Sequence, residues 1–177
     1  MAGRTAFTFL PWRLKYTGAG FNYARNRSNE TNTVVDLFTG KALPPTKQSN
    51  YTYNLNFWYD DGRLNARVAY QRRDFYYDRT DASASINRVP TALGGAATSY
   101  YKMVSPIFKT GNKSLDARAS YKLTSRLQLF AEGKNLLDDS VSRYTPEKYR
   151  NIGGGTPYIY DTYYLGRRYY FGLIAQF

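Results

Sequence analysis

The stretch KSLDARASYKLTSRLQLFAEGKNL, residues 113–136, decides the fold class of this 177-residue chain. From Leu115 to Leu123 every second residue is apolar, and the residues between them are polar or charged. A short turn at 124–126 follows, and the alternation resumes at Leu127 with Phe130 on the polar side. A period of two is typical of a β-strand, because successive side chains point to opposite faces. The stretch therefore predicts an antiparallel hairpin with one apolar and one charged face.

The register of this hairpin follows if Leu123 pairs with Leu127 across the turn. Charges of opposite sign then face each other on the polar side, and a shift by one residue would place charges on the apolar face. We expect all four charged side chains to point away from the apolar face. The predicted partners are Tyr121 with Leu129, Ala119 with Ala131, Arg118 with Glu132, and Asp116 with Lys134.

The same alternation recurs along the chain and predicts about six strands. The segment Asp61-Gly62 lies between two of them and indicates a tight hairpin turn. The phase of each strand assigns its apolar residues to one common face: Leu55, Phe57, Val68, Tyr121, Leu129, Phe171, Leu173 and Phe177. The predicted strands cover residues 15–25, 51–59, 64–71, 115–123, 127–134 and 168–177.

Connections between these strands alternate in length. Those at 60–63 and 124–126 are tight, whereas those at 27–49, 75–112 and 138–162 are long, polar and rich in Gly, Pro, Ser and Asn. Long loops at one end and short turns at the other are typical of an outer-membrane β-barrel. Predicted strands near ~9–11 residues also fit a tilted membrane strand. A soluble β-sandwich or lipocalin-like barrel, with the apolar face inward, is the alternative.

Composition excludes several functional classes. The chain has no Cys and no His, so the sequence predicts no disulfide, no metal site and no His-based catalysis. It contains 19 Tyr and 10 Phe, an excess that suits membrane interfaces and binding surfaces. The net charge is +12, but Lys and Arg are scattered and form no recognition motif, so we do not expect nucleic-acid binding. No enzymatic activity and no cofactor are predicted.

The segment GRRYYFGLIAQF, residues 166–177, resembles the last strand of TonB-dependent receptors in Gram-negative outer membranes. LQLFAEGKNLLDDS, residues 127–140, is similar to their penultimate strand, although Leu137 stands where Thr is usual. The segments 7–30 and 50–77 resemble earlier strands of the same barrel. In that family Tyr169, Phe171, Leu173 and Phe177 would form a signal for the barrel-assembly machinery.

The resemblance implies an all-β fold, an antiparallel transmembrane barrel of 22 strands around a plug domain. Residues 1–177 would be a partial barrel domain that supplies about six C-terminal strands, and no plug is recognised among them. The implied function is import of a ferric siderophore, haem, cobalamin or an oligosaccharide across the outer membrane. The implied partners are outer-membrane lipid, the rest of the barrel with its plug, the TonB system acting through that plug, and the assembly machinery. A non-transporting barrel piece or adhesin is a further alternative.

Two groups of residues are candidate functional positions. Aromatic and basic residues of the long loops could stack on a ligand ring or hold an anionic chelate, or could simply cap the barrel. These are Tyr76, Tyr77, Tyr100, Tyr101, Arg143, Tyr144, Arg150, Tyr158 and Tyr160. Charged residues on the polar side of the strands would face the lumen. These are Arg67, Asp116, Arg118, Glu132 and Lys134.

Overall fold

The computed structural model confirms the all-β, antiparallel prediction. It describes residues 1–27, 42–81, 87–88, 100–101, 105–146 and 157–176. Within these ranges the only helical segment is a 3-10 turn at Trp12–Tyr16. The strands are β1 Ala2–Ala6, β2 Thr17–Arg25, β3 Tyr51–Asp60, β4 Leu64–Arg73, β5 Tyr76–Asp81, β6 Asn87–Arg88, β7 Tyr100–Tyr101, β8 Ser105–Lys109, β9 Asn112–Lys122, β10 Leu127–Lys134, β11 Ser140–Thr145, β12 Tyr158–Tyr164 and β13 Arg168–Ala175.

Seven strands form the main sheet, in the order β1-β2-β3-β4-β9-β10-β13. Every pair of adjacent strands in this sheet is antiparallel. The tight turns lie at one end of the sheet, called here the turn end. The sheet is open in the described residues, with β1 and β13 at its edges. The prediction of about six strands is thus close for this sheet. It missed β1, and it placed the start of β2 at residue 15, where the 3-10 turn still continues.

The register places apolar residues of every central strand on one face of the main sheet. Leu55 faces Tyr70, which faces Leu115, and Tyr121 faces Leu129. We call this side the apolar face and the opposite side the polar face. The described members of the predicted common face all lie on it and are exposed: Leu55, Phe57, Val68, Tyr121, Leu129, Phe171 and Leu173. Phe177 lies outside the described residues.

A second sheet of four strands, the upper sheet, has the order β12-β11-β8-β5. This order repeats that of β13, β10, β9 and β4 in the main sheet. Each upper strand is therefore the continuation of a main-sheet strand beyond a short break. The breaks lie at residues 74–75, 110–111, 135–139 and 165–167.

The upper sheet corrects the prediction that residues 75–112 and 138–162 are loops. Both segments contain strands, and a two-stranded ladder of β6 and β7 lies in the first of them. Their alternation is interrupted by β-bulges, one between Tyr77 and Arg79 and one between Arg143 and Tyr144. A bulge shifts the phase of a strand by one residue, so a search for period two does not detect these strands.

The hairpin of β9 and β10 confirms the predicted register, because Tyr121 faces Leu129 and Arg118 faces Glu132. The predicted ion pairs are wrong, however. The guanidinium of Arg118 lies over the Phe130 ring, 5.4 Å from its centroid. The described ladder between these strands ends at Gly133, before Lys134.

The remaining charges of that hairpin find local partners. The Lys134 ammonium lies 3.4 Å from the Glu132 carboxylate on its own strand. The Asp116 carboxylate accepts hydrogen bonds from the Ser114 hydroxyl at 2.7 Å and from the Asn135 backbone N–H at 2.9 Å. Same-strand neighbours two residues away, and for Asp116 also a backbone N–H at the end of the partner strand, therefore take the place of the expected charged partners.

The turn between β3 and β4 forms where Asp61-Gly62 predicts it. Of the two residues Asp61 and Gly62, only Gly62 has a positive φ, 85°. The Asp61 carboxylate accepts the backbone N–H groups of Leu64 and Arg63 and the hydroxyl of Tyr59. The bonds from Leu64, Tyr59 and Arg63, in that order, hold the pKa of Asp61 below its usual value. This side chain closes the turn by supplying an acceptor to the backbone.

Candidate functional site

The candidate site is the upper sheet together with the breaks that join it to the main sheet. Asn135, at the end of β10, organises this junction. It is 6% exposed and has a positive φ of 52°. Its amide donates to the carbonyl oxygens of Asp139 at 3.3 Å and Gly166 at 3.1 Å, and its side-chain oxygen accepts the Asp139 N–H. The backbone N–H of Asn135 also donates to the Asp116 carboxylate on β9. Asn135 therefore connects β9, β10 and the break before β13.

The break before β9 also depends on close backbone contact. A Cβ atom on Gly111 would collide with the carbonyl oxygen of Arg73 at the end of β4. Asp139 accepts the backbone N–H of Lys113 at 2.7 Å, and Thr110 and Ser142 exchange hydrogen bonds across the gap. These hydrogen bonds satisfy the backbone groups at the break, where the main sheet ends and the upper sheet begins.

The buried apolar core of the described residues lies in the upper sheet. Tyr77 is 2% exposed and Phe108 is 8% exposed, and their ring centroids are 5.7 Å apart. Leu43 and Tyr144 complete this cluster. Burial raises the pKa of the Tyr144 hydroxyl. Ile107, next to Phe108 on β8, is also buried, so both faces of β8 are covered.

Residues 42–50 form a strap that covers one side of this core. The backbone N–H of Lys47 donates to the carbonyl of Tyr77 at 2.7 Å. The guanidinium of Arg73 donates to the Ser49 hydroxyl at 2.7 Å and to the Lys47 carbonyl at 2.9 Å. Arg73 therefore fixes the strap to the top of β4.

An arginine–carboxylate pair links β11 and β12. The Arg143 Nε lies 2.9 Å from both Asp161 carboxylate oxygens, its Nη2 contacts the same carboxylate, and it also donates to the Tyr163 hydroxyl at 3.1 Å. The side chains of Arg143 and Asp161 are 24% and 32% exposed. Hydrogen bonding to Arg143 lowers the pKa of Asp161, and Asp161 in turn raises the pKa of Arg143.

The predicted ligand-contact residues separate into distinct environments. The prediction that Tyr77 contacts a ligand is wrong, because its ring is buried in the apolar core and is not accessible to a ligand. Tyr144 packs against the same core. Tyr76 lies under the Arg73 guanidinium, 4.5 Å from its ring centroid. Tyr158 and Tyr160 are exposed and stack edge to face at 4.9 Å.

The remaining predicted positions are only partly described. Tyr100 and Tyr101 form β7, whose backbone pairs with β6. Arg150, like Phe177, lies outside the described residues. Tyr76, Arg143, Tyr158 and Tyr160 are therefore the predicted contacts that the structure brings into one sheet with accessible side chains.

The five predicted lumen residues share the polar face of the main sheet, as register shows. Arg67 faces Arg118, Arg118 faces Glu132, and Asp116 and Lys134 are two residues away on the same strands. The face is less polar at the edge strand β13, where Tyr170 and Ile174 lie on this side.

Two aromatic–glycine contacts on the polar face were not predicted from the sequence. The Trp58 ring covers Gly18 on the neighbouring strand, and the Phe130 ring covers Gly172. A side chain at either glycine would collide with the ring. Arg4 lies over Trp58, with 4.6 Å between its guanidinium carbon and the ring centroid. A glycine inside a strand, opposite an aromatic residue, is the signal that could have predicted these contacts.

No group of three or more His, Cys, Asp or Glu side chains that could hold a metal ion is found in the described part of the chain. Among the same residues, no helix has the length and apolar character needed to cross a membrane. Comparison of the chain with family models, with curated proteins and with solved structures gave no match.

Proposed function

We propose that residues 1–177 form part of the wall of a TonB-dependent receptor in the outer membrane of a Gram-negative bacterium. The observation that carries the proposal is the exposed apolar face of the main sheet. Large apolar side chains pair across neighbouring strands, as Phe57 does with Val68 and Leu129 with Leu173, and they are exposed in the described residues. Water-soluble proteins rarely leave so extended an apolar surface exposed, whereas a lipid bilayer covers it.

The dimensions of the main sheet support the membrane assignment. Its central strands β3 and β4 have 10 residues each. At ~3.3 Å per residue such a strand is ~33 Å long, and a tilt of ~40° gives a height of about 25 Å. This is the height of the apolar band on outer-membrane barrels.

Aromatic residues lie at both limits of the apolar face. Tyr23 and Tyr53 face each other near the long-connection end of β2 and β3, and Tyr59 and Tyr121 lie near the turn end. Tyr side chains collect at both interfaces of a bilayer, because the ring is apolar and the hydroxyl is polar. The polar face of the sheet would then line the lumen.

In this assignment the upper sheet extends above the membrane on the extracellular side. It would carry ligand contacts from the predicted residues that are exposed, Tyr158 and Tyr160, or half-buried, Tyr76 and Arg143. The cargo classes are those of the receptor family: a ferric siderophore, haem, cobalamin or an oligosaccharide. Energy would reach the receptor from the TonB system through a plug domain, and the rest of the barrel would pair with β1 and β13.

Cell fractionation tests the location. In the native host, the protein containing these residues should sediment with the outer membrane and resist extraction by alkaline carbonate. A soluble β-sandwich would instead purify without detergent as a monomer in the soluble fraction. That outcome would contradict the proposal.

Uptake measurements test the transport function. A host strain with this coding region deleted is compared with the wild type for uptake of radiolabelled ferric siderophores, haem, cobalamin and maltodextrins. Loss of uptake of one cargo, restored by the intact gene, is the expected result. Normal uptake of every cargo class with the protein absent, together with an outer-membrane location, would favour a non-transporting barrel or adhesin.

A further inference from the structure

Two cations face each other on the apolar face, at the end of the main sheet opposite the tight turns. Arg72 on β4 is the direct cross-strand partner of Lys113 on β9. The next pair on the same face is Tyr70 with Leu115, so both cations belong to the apolar side. Like charges directly opposite each other destabilise a sheet. Neither side chain forms an ion pair with a carboxylate of the described residues.

Two tyrosines flank Arg72 at this level. Tyr53 faces Arg72 from the other neighbouring strand, and the hydroxyls of Tyr53 and Tyr70 lie beside the guanidinium. The two tyrosine rings are 5.9 Å apart. Aromatic residues at the end of an apolar face mark the depth at which lipid headgroups begin. Arg72 and Lys113 therefore lie where a lipid phosphate would be.

A cavity of about 350 Å³ opens beside both cations at the break between the sheets. Asp74 and Asp139 also line it. Each of these carboxylates already accepts a hydrogen bond, Asp74 from the Asn50 amide at 3.1 Å and Asp139 from the Lys113 backbone N–H. The cavity is large enough for a phosphate group, and the cations retain donors for one.

We propose that Arg72 and Lys113 together bind the phosphate of an anionic membrane lipid. The guanidinium supplies a planar pair of donors that matches phosphate geometry, and the ammonium supplies a second point charge. A bridging phosphate also relieves the repulsion between the two cations. A lipid is the source because Tyr70 and Leu115, directly below the pair on the same face, would contact the acyl chains. This inference rests on the membrane location proposed above.

Spin-label lipid association tests the inference on the full chain in phosphatidylcholine vesicles. The quantity measured is the association constant of spin-labelled phosphatidylglycerol relative to spin-labelled phosphatidylcholine. The variants are Arg72→Gln, Lys113→Gln and the double variant. We expect the preference for phosphatidylglycerol to fall about fivefold for each cation removed. Arg72→Lys should retain most of the preference, because it keeps the charge.

The matched control is the double variant Arg67→Gln with Arg118→Gln. These arginines are also direct partners across β4 and β9, but they lie on the polar face. The control should leave the lipid preference unchanged. An equal loss in the control and in the Arg72/Lys113 variant would overturn the inference, since only net charge would then matter.

Two further results would overturn it. If the chain binds inorganic phosphate through Arg72 and Lys113 but shows no preference for phosphatidylglycerol, the pair is a site for free phosphate. If the chain binds the vesicles with no preference for phosphatidylglycerol, the lipid site is wrong and the membrane location stands. Failure of the chain to associate with any vesicle would contradict both proposals.

Discussion

The main sheet and the upper sheet are built from the same strand paths but distribute their apolar residues in opposite ways. In the main sheet, Phe171 is 79% exposed on the apolar face. In the upper sheet, Phe108 is 8% exposed and packs against Tyr77. The set of strand paths shared by the two sheets thus has an exposed apolar surface below the breaks and a small buried core above them.

Under the proposed membrane location, this difference follows from two solvents acting on one set of strands. Where water surrounds a sheet, burial of apolar side chains stabilises it, and the upper sheet follows this rule. Where lipid surrounds a sheet, apolar side chains point outward and backbone pairing provides the order. In that location, the breaks at residues 110–111 and 135–139 would mark the level at which one rule replaces the other.

The largest expected effect comes from removing the same side chain in the two sheets. Phe108→Ala deletes a ring from the upper core and should lower the free energy of unfolding by about 3–5 kcal/mol. Phe171→Ala makes the same chemical change on the apolar face, which detergent covers and where no cavity forms, so it should lose only the transfer free energy of the ring, about 1–2 kcal/mol. Urea unfolding of the chain in detergent micelles measures both. Equal losses would show that the two sheets do not differ in this way.

A charge placed on the apolar face tests the main sheet directly. Leu129→Arg should cost ~2–4 kcal/mol in a bilayer if this position lies near the midplane. Gln128→Arg, one residue away on the polar face, should cost far less. The free energy of unfolding from lipid vesicles is the measurement. Similar costs at the two positions would contradict the assignment of the faces.

Asn135 tests the junction between the two sheets. Asn135→Ala removes both donors and the acceptor that connect it to Asp139 and Gly166, and it leaves buried backbone groups unpaired. We expect a loss of about 1–3 kcal/mol. Leu137→Ala, an exposed position in the same segment, is the control. Amide hydrogen exchange in residues 135–145 should accelerate in the Asn135 variant alone, and unchanged exchange there would argue against a joining role.

The smallest expected effect is the pH dependence of the upper sheet. The folded pKa of Asp161 is lowered, so its contribution is present above the unfolded pKa near ~3.9 and is lost as the pH falls through the folded value. The β11–β12 hairpin should therefore weaken below about pH 4 relative to pH 7. Asp161→Asn should flatten this dependence in hydrogen exchange of 140–145. A variant that keeps the full pH dependence would rule out Asp161 as its source.

Six of the seven main-sheet strands could be predicted from sequence, because their faces follow from an uninterrupted period of two. The face of Leu129 and the partner of Arg118 follow from that rule alone. The upper sheet could not be predicted, since bulges at Tyr77/Arg79 and Arg143/Tyr144 shift the phase of the apolar–polar alternation in its strands. The burial of Tyr77 depends on Leu43, a contact between residues distant in sequence.

The charge partners of the polar face were also beyond sequence reasoning. Register places Arg118 opposite Glu132, yet the guanidinium lies over the ring of Phe130. The choice between an ion pair and a ring contact depends on rotamers that a period of two does not specify. The role of Asn135 could not be predicted either, because its bonds to Asp139 and Gly166 require the breaks of two different strands to meet.

Site-directed spin labelling of β10 tests most directly whether the apolar face contacts lipid. The chain has no Cys, so a single cysteine at each position from 127 to 134 can carry one nitroxide. In vesicles, oxygen collisions should peak at Leu127, Leu129 and Ala131, and collisions with a water-soluble nickel chelate should peak at Gln128 and Glu132. A period of two with these phases is the predicted result. The opposite phase, or equal chelate access at every position, would contradict a lipid-facing apolar face.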